Sequence, residues 1–281
     1  MALFTTRAFD ETIHLTNVEV NEKNPDYKLR YSMQTGHKWS FNKLWEHLKT
    51  KDGTDHEPIW EKIKDIALKT IISGEPDMFE GVQTYLLSKY SGHELFGFDI
   101  LLDKNLKPWV LEVNVAPGIQ GHSGNPHPAF DPMCRDMLNL AGYRIPGEED
   151  HDNDGESGPS VSPDLLLDER WWTKNLSNAE QAKHKYYSEH YEYKKVLSTI
   201  LDTLTPDDIR VLVDTIDENK RRGGFDRIFP RLDTEYDQYF EKPRYHNLLV
   251  HEWIKRYHGN EEEGIALLES YCKESKHLSG Y

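Results

Sequence analysis

Two strand-like runs that place carboxylates opposite each other constrain this chain more than any other feature. Residues 94–102 and 108–115 are rich in aliphatic, aromatic and β-branched side chains and flank a short polar connection, 103–107. Such a pattern reads as a β-hairpin. Alternation puts Glu112 and Asn114 on one face of the second run, with Trp109, Leu111 and Val113 on the other. If the strands pair antiparallel about the middle of the connection, Asp99 lies opposite Glu112. Facing carboxylates repel and weaken a sheet. A divalent cation between them removes the conflict, and an all-oxygen set of Asp, Glu and the Asn carbonyl suits Mg²⁺. An amphipathic hairpin with a solvated polar face has the same spacing, so spacing alone leaves both readings open.

The rest of the composition bounds what such a hairpin can serve. With 281 residues the chain has room for one large domain or two. It contains no run of 18 apolar residues, so no membrane insertion is expected. The N-terminus lacks a basic start followed by an apolar stretch and a cleavage site, which argues against secretion. Cys134 and Cys272 are too few for a disulfide framework, which suits a reducing, cytoplasmic setting. Net charge is −15, from 49 acidic and 34 basic residues, a balance that disfavours nucleic acid and anionic membranes. Binding to an acidic protein would need a local basic patch. Lys220, Arg221, Arg222, Arg227 and Arg231 offer one, and a solvated helix end reads equally well.

Along the chain, a short helix is expected around residues 40–47. Thr54 and Glu57 form a capping-box pattern before a helical repeat through Ile71, which Gly74 and Pro76 should end. After the hairpin come a Gly- and Pro-rich loop, 116–132, and a helix to about Ala141, closed by Gly142. Residues 147–163 are acidic and rich in Gly, Ser and Pro, the composition of a linker. Asp150, Asp152, Asp154 and Gly155 there imitate a calcium loop, but its twelfth position is Val161 rather than Glu. Beyond, one long helix is expected over 178–204. Another starts at Thr205-Pro206-Asp207-Asp208 and stops at Gly223-Gly224, and further helices fall near 245–257 and 261–272. Tyr186, Tyr187, Tyr191, Tyr193, Tyr236, Tyr239 and Phe240 are expected in the core.

Taken together, His14-Leu15-Thr16-Asn17, Gly36-His37-Lys38-Trp39, Trp60-Glu61-Lys62-Ile63, the Gly97-Phe98-Asp99 run and Leu111-Glu112-Val113-Asn114 resemble the tubulin–tyrosine-ligase-like family, a branch of the ATP-grasp ligases. The stretch 204–230 and Tyr257-His258-Gly259-Asn260 resemble its polyglutamylase subgroup. The resemblance implies an α+β fold: the C-terminal part of an ATP-grasp ligase domain with an antiparallel sheet over residues 1–146, a flexible linker over 147–163, and a helical extension over 164–281. It implies a reaction in which ATP phosphorylates a glutamate side chain of tubulin or another acidic protein and the amine of free glutamate displaces phosphate. ATP and Mg²⁺ are the implied cofactors. Asp99, Glu112 and Asn114 would be metal ligands, Thr16 and Asn17 would contact ATP, and Lys38 would pair with a carboxylate of the incoming glutamate. The implied setting is the cytoskeleton, on microtubules and their acidic tails, extending to cilium or basal body.

Two departures from the family pattern accompany the resemblance. The chain starts just before the Thr16-Asn17 motif, so it resembles an N-terminally truncated ligase with weak activity or none alone. Family positions that carry an acid and a lysine after the hairpin align with Pro126 and Phe130. A glycine-adding ligase and a non-catalytic cytoskeleton-binding module that keeps the ligase scaffold remain alternatives.

Overall fold

The computed structural model describes residues 18–21, 23–24, 39–85, 92–119, 130–142, 176–232 and 236–278. The chain divides into two units, residues 1–63 with 104–108, and residues 64–103 with 109–281. The 147–163 segment lies outside the described residues.

In the first unit a single turn, α1 (Val18–Asn21), precedes α2 (Phe41–Asp52). Ser40 caps α2 by accepting from the Lys43 N–H at 3.3 Å. Gly53, at φ +65, closes it: its N–H donates to Lys49 O at 3.1 Å, and the Thr54 N–H reaches Leu48 O at 3.2 Å. Five residues beyond the expected end, α2 thus stops at a glycine that can take the left-handed conformation. Because Thr54 belongs to this closure, the expected Thr54–Glu57 capping box does not form. Helix α3 (Glu57–Tyr85) starts instead behind Asp55, whose carboxylate accepts from the Glu57 N–H at 3.3 Å. Phe41 packs on Trp45 and Trp60, with ring centroids 5.6 and 5.3 Å away.

Helix α3 does not end at Gly74 and Pro76 but runs through both. Proline removes a helical N–H and costs about 3 kcal/mol in a helix interior. Contacts beside it offset that cost. Arg244 donates twice to Glu75, at 2.7 and 2.9 Å, and its guanidinium lies 3.6 Å from the centre of the Phe79 ring. A charged bidentate pair and a cation–π contact contribute about 2 and about 1 kcal/mol. Tertiary contact therefore outweighs local propensity here.

Leu68 and Ile72 of α3 meet Tyr236, Ile228, Phe229 and Phe240 in a small core. Tyr236, in the 3₁₀ turn Tyr236–Tyr239, donates its hydroxyl to Asp65 at 2.7 Å. The hairpin strands β1 (Gly97–Leu102) and β2 (Pro108–Asn114) pair with each other in a two-stranded sheet, and α4 (Phe130–Leu140) follows, closed by Gly142 at φ +89.

The helical portion comprises α5 (Asn178–Glu189), α6 (Lys194–Leu197), α7 (Pro206–Lys220), α8 (Tyr245–Arg256) and α9 (Glu261–Lys273). The single helix expected over 178–204 breaks at residues 190–193. The His190 ring bonds the Tyr186 carbonyl at 2.8 Å, and the chain turns. That turn brings Ile200, fully buried, against Leu212, Leu248 and Leu249. Helix α7 opens as its sequence signals: Thr205 accepts from the Asp208 N–H at 3.3 Å, and Asp208 returns a bond to the Thr205 N–H at 2.8 Å. Of the aromatics expected in the core, Tyr187 and Tyr236 are buried, and Tyr191 and Phe240 are partly buried against the cores. Tyr186, Tyr193 and Tyr239 are exposed instead, because they lie on the outward sides of short, turn-separated segments.

Two measurements check this packing. Arg244→Met should lower stability by about 2 kcal/mol and speed amide exchange in residues 76–85 while leaving α9 protected. Burial, then the hydrogen bond to Asp65 and its charge, push the Tyr236 hydroxyl from 10.0 up to about 12. A phenol that ionises at higher pH folded than unfolded lends stability that is whole below pH 10 and lost as pH rises towards 12. Tyr236→Phe should therefore flatten the loss of melting temperature over that interval.

Candidate active site

Hairpin geometry brings three of the residues singled out by sequence onto one side. The Asp99 carboxyl is held above its ordinary value of 3.8, first by burial, then by a hydrogen bond with Glu112 and by that residue's negative charge. The two acids therefore face each other across the strands. Asn114, two residues along β2, donates its amide to Glu112 Oε1 at 3.4 Å. All three side chains are exposed, so their oxygens are open to a ligand.

Local chemistry holds this arrangement. Trp109 donates its indole N–H to Asp103 at 3.2 Å and staples the turn end of the hairpin. At the opposite end, a Cβ on Gly97 would stand 2.8 Å from Pro117 Cβ and 3.7 Å from Asn114 Cβ. Only glycine lets the chain leaving β2 cross so close to the start of β1, and that crossing positions Asn114. Trp109 and Leu111 are 48% and 60% exposed on the face away from the acids. A lone two-stranded hairpin is marginal in water, and these apolar side chains mark a face suited to further packing.

The donor set fits a hard divalent cation. An Asp99 carboxyl whose proton affinity is raised beside Glu112, with a neutral amide oxygen next to them, offers oxygen ligands and a charge conflict that a cation relieves. Thr16, Asn17 and Lys38 lie outside the described residues, as does Pro126. Phe130 is the first residue of α4.

The basic stretch is partly committed to structure. Arg221 donates to the Asn139 and Leu140 carbonyls at the end of α4, at 3.0 and 3.5 Å. Asp136 of α4 accepts from the Gly224 N–H at 2.7 Å, and Gly223, at φ +54, leaves the space that carboxylate fills. Lys220, Arg222 and Arg227 are exposed. The reading from sequence missed one cluster entirely. His184, Asp207 and His246 converge in the helical portion although they stand far apart in the chain. No spacing rule links them.

Residues 3–153 match the family model described as the tubulin-tyrosine ligase family. The tubulin monoglutamylase TTLL4 of Mus musculus is 43% identical over 94% of this chain and 23% of its own length. The tubulin polyglutamylase ttll-4 of Caenorhabditis elegans is 34% identical over 95% of this chain and 42% of its own length, and the tubulin polyglutamylase TTLL5 of Mus musculus is 29% identical over 94% and 21%. The chain thus spans less than half the length of these relatives. Among the described residues no helix is long and apolar enough to cross a membrane.

Because Asp99 binds its proton more tightly folded than unfolded, its contribution to stability is whole at acid pH and is lost as pH rises through its folded value. In chelator, Asp99→Asn should melt at the same temperature as the parent near pH 3 and higher at pH 7. Added Mg²⁺ should raise the melting temperature of the parent alone. A variant that melts lower at pH 7 would contradict the repulsion.

Proposed function

The chain belongs to the tubulin-tyrosine ligase family, and from that premise we propose that it carries the metal-binding hairpin of an ATP-dependent ligase that adds glutamate to glutamate side chains of tubulin. The observation that carries the proposal is the convergence of Asp99, Glu112 and Asn114 on one side of a hairpin within the segment that matches the family. The similarity to tubulin monoglutamylases and polyglutamylases supports glutamate as the added residue and tubulin as the acceptor.

Asp99 and Glu112 provide two negative oxygens from adjacent strands, and Asn114 provides a neutral one. The Asn114 amide donates to one Glu112 oxygen and helps orient the carboxylate, which would join Asp99 in holding the cation. Mg²⁺ held by these three would neutralise nucleotide phosphates and the charge that develops on phosphoryl transfer to the acceptor carboxylate. In this reading Thr16 and Asn17 contact ATP, and Lys38 pairs with a carboxylate of the free glutamate that supplies the attacking amine. The acceptor and its setting are the acidic tails of tubulin on microtubules, in the cytoplasm and in cilia or basal bodies. The exposed cations Lys220, Arg222 and Arg227 are suited to such tails, and the acidic balance of the whole chain directs binding to that patch.

Glu112→Gln keeps the shape of the side chain and removes its charge. Placed in a longer ligase chain that is itself active, the change should lower incorporation of labelled glutamate into tubulin, measured with ATP and Mg²⁺, at least about 100-fold while the far-ultraviolet circular dichroism is unchanged. Incorporation near the parent level would remove Glu112 from the chemistry.

A further inference from the structure

The helical portion contains a polar node that the proposed ligation does not use. Glu180, Asp207 and Asp208 are 3%, 6% and 0% exposed. Asp208 is satisfied by the Lys183 ammonium at 2.7 Å, the Tyr245 hydroxyl at 2.8 Å and the Thr205 N–H at 2.8 Å. Glu180 accepts from the Ser177 N–H at 2.8 Å and the Asp207 N–H at 3.1 Å. Arg210 stands between Glu180 and Asp207, at 3.9 and 3.6 Å. Three buried carboxylates thus meet two cations, which leaves one negative charge wherever both neighbouring imidazoles are neutral.

That charge falls where two imidazoles converge. Asp207 Oδ2 lies 2.8 Å from His246 Nε2 and 3.3 Å from His184 Nε2. The three ligand atoms are all within 4.8 Å of one another. His184 Nε2 is buried and, among the described residues, makes no well-aligned hydrogen bond, although the Asp207 oxygen 3.3 Å away attracts it. Two ligands of one tetrahedral metal stand about 3.3 Å from each other at metal–ligand lengths of about 2.0–2.1 Å, and the His184–Asp207 pair has that separation. The shorter His246–Asp207 contact is a hydrogen bond that an ion would replace.

The rings are held in place without any ion. His184 stacks on Tyr245, with centroids 3.9 Å apart and planes 18° apart, and Tyr245 is anchored through Asp208. His246 meets His184 edge-on at 4.9 Å. Side chains of His184 and His246 keep 15% and 22% of their exposure, enough for an ion and a water molecule to enter from the rim. Two imidazoles and one carboxylate favour zinc or a similar borderline metal over Mg²⁺.

We propose that His184, Asp207 and His246 form a zinc site, distinct from the hairpin, in which three helices each give one ligand and water takes the fourth position. The ion clips α5, α7 and α8 together. It is structural, since no group of the proposed ligation is among its ligands.

Cobalt(II) titration of the full chain tests this, with absorption as the readout. The parent should take up one equivalent with the strong ligand-field bands of tetrahedral coordination, and zinc should bleach them. His184→Gln with His246→Gln should lose those bands and at least 100-fold in zinc affinity, with helical content retained. Should the double variant not fold, His246→Gln alone, at the rim, should weaken zinc at least tenfold. Asp99→Asn should leave the bands intact, which separates this site from the hairpin. Absence of tetrahedral bands in the parent, or equal bands in parent and histidine variants, overturns the proposal.

Discussion

Asp208 has no exposed surface, and the arrangement of the helical portion follows from how that charge is met. Removing a carboxylate from water costs several kcal/mol unless partners replace the lost solvation, on the order of a whole domain's net stability. Here the partners come from different elements: Lys183 from α5, the Thr205 N–H from the start of α7, and Tyr245 from α8. Moving any one of these helices would take a partner from that charge. Apolar contacts among Ile200, Leu212 and Leu249 supply attraction without direction. The carboxylate supplies direction, because its three hydrogen bonds tie α5, α7 and α8 to one point.

The hairpin presents the opposite electrostatic case. Asp99 and Glu112 face each other in the open, and among the described residues burial and the neighbouring Glu112, not a cation, set the proton affinity of Asp99. A structural ion pair would have lowered that carboxyl; it is raised instead. Protein sites usually retain such a conflict where a ligand resolves it. The contrast separates the two regions: acids in the helical portion are answered by the protein's own charges, whereas Asp99 and Glu112 keep a charge conflict that the proposed cation would relieve.

Local rules made much of this legible. Alternation over 108–115 placed Glu112 and Asn114 on one face, and a symmetric turn placed Asp99 opposite, as the structure has it. Thr205, Pro206 and Asp208 announced the start of α7 because a capping box is a short-range arrangement. Legibility failed where distant residues decide. Pro76 ought to end α3, yet Arg244, 169 residues from Glu75, holds the helix on either side. Helical periodicity ran through His190, but burial of Ile200 required a turn there. Asp207 and Asp208 read only as acids at a helix start; that they are buried was not legible, since Lys183, His184 and His246 arrive from other helices. The Lys220–Arg231 stretch was divided between outcomes, with Arg221 drawn into capping α4 while its neighbours stayed exposed.

Donor chemistry also argues that the two clusters do different things. Exposed carboxylates and an amide bind hard cations through mostly electrostatic contacts that exchange readily with water and phosphate. In the proposed ligation such a site would take in a metal with its nucleotide and release both in each turnover. The nitrogen-rich cluster, largely buried and braced by Tyr245, would hold a borderline metal by preformed directional ligands and let it go slowly. Neither donor set suits the other's task, because a tightly held metal cannot cycle with substrate and an exchangeable one cannot clip three helices. One chain can therefore carry both without competition for ions: hardness separates the ligands, and burial separates the rates.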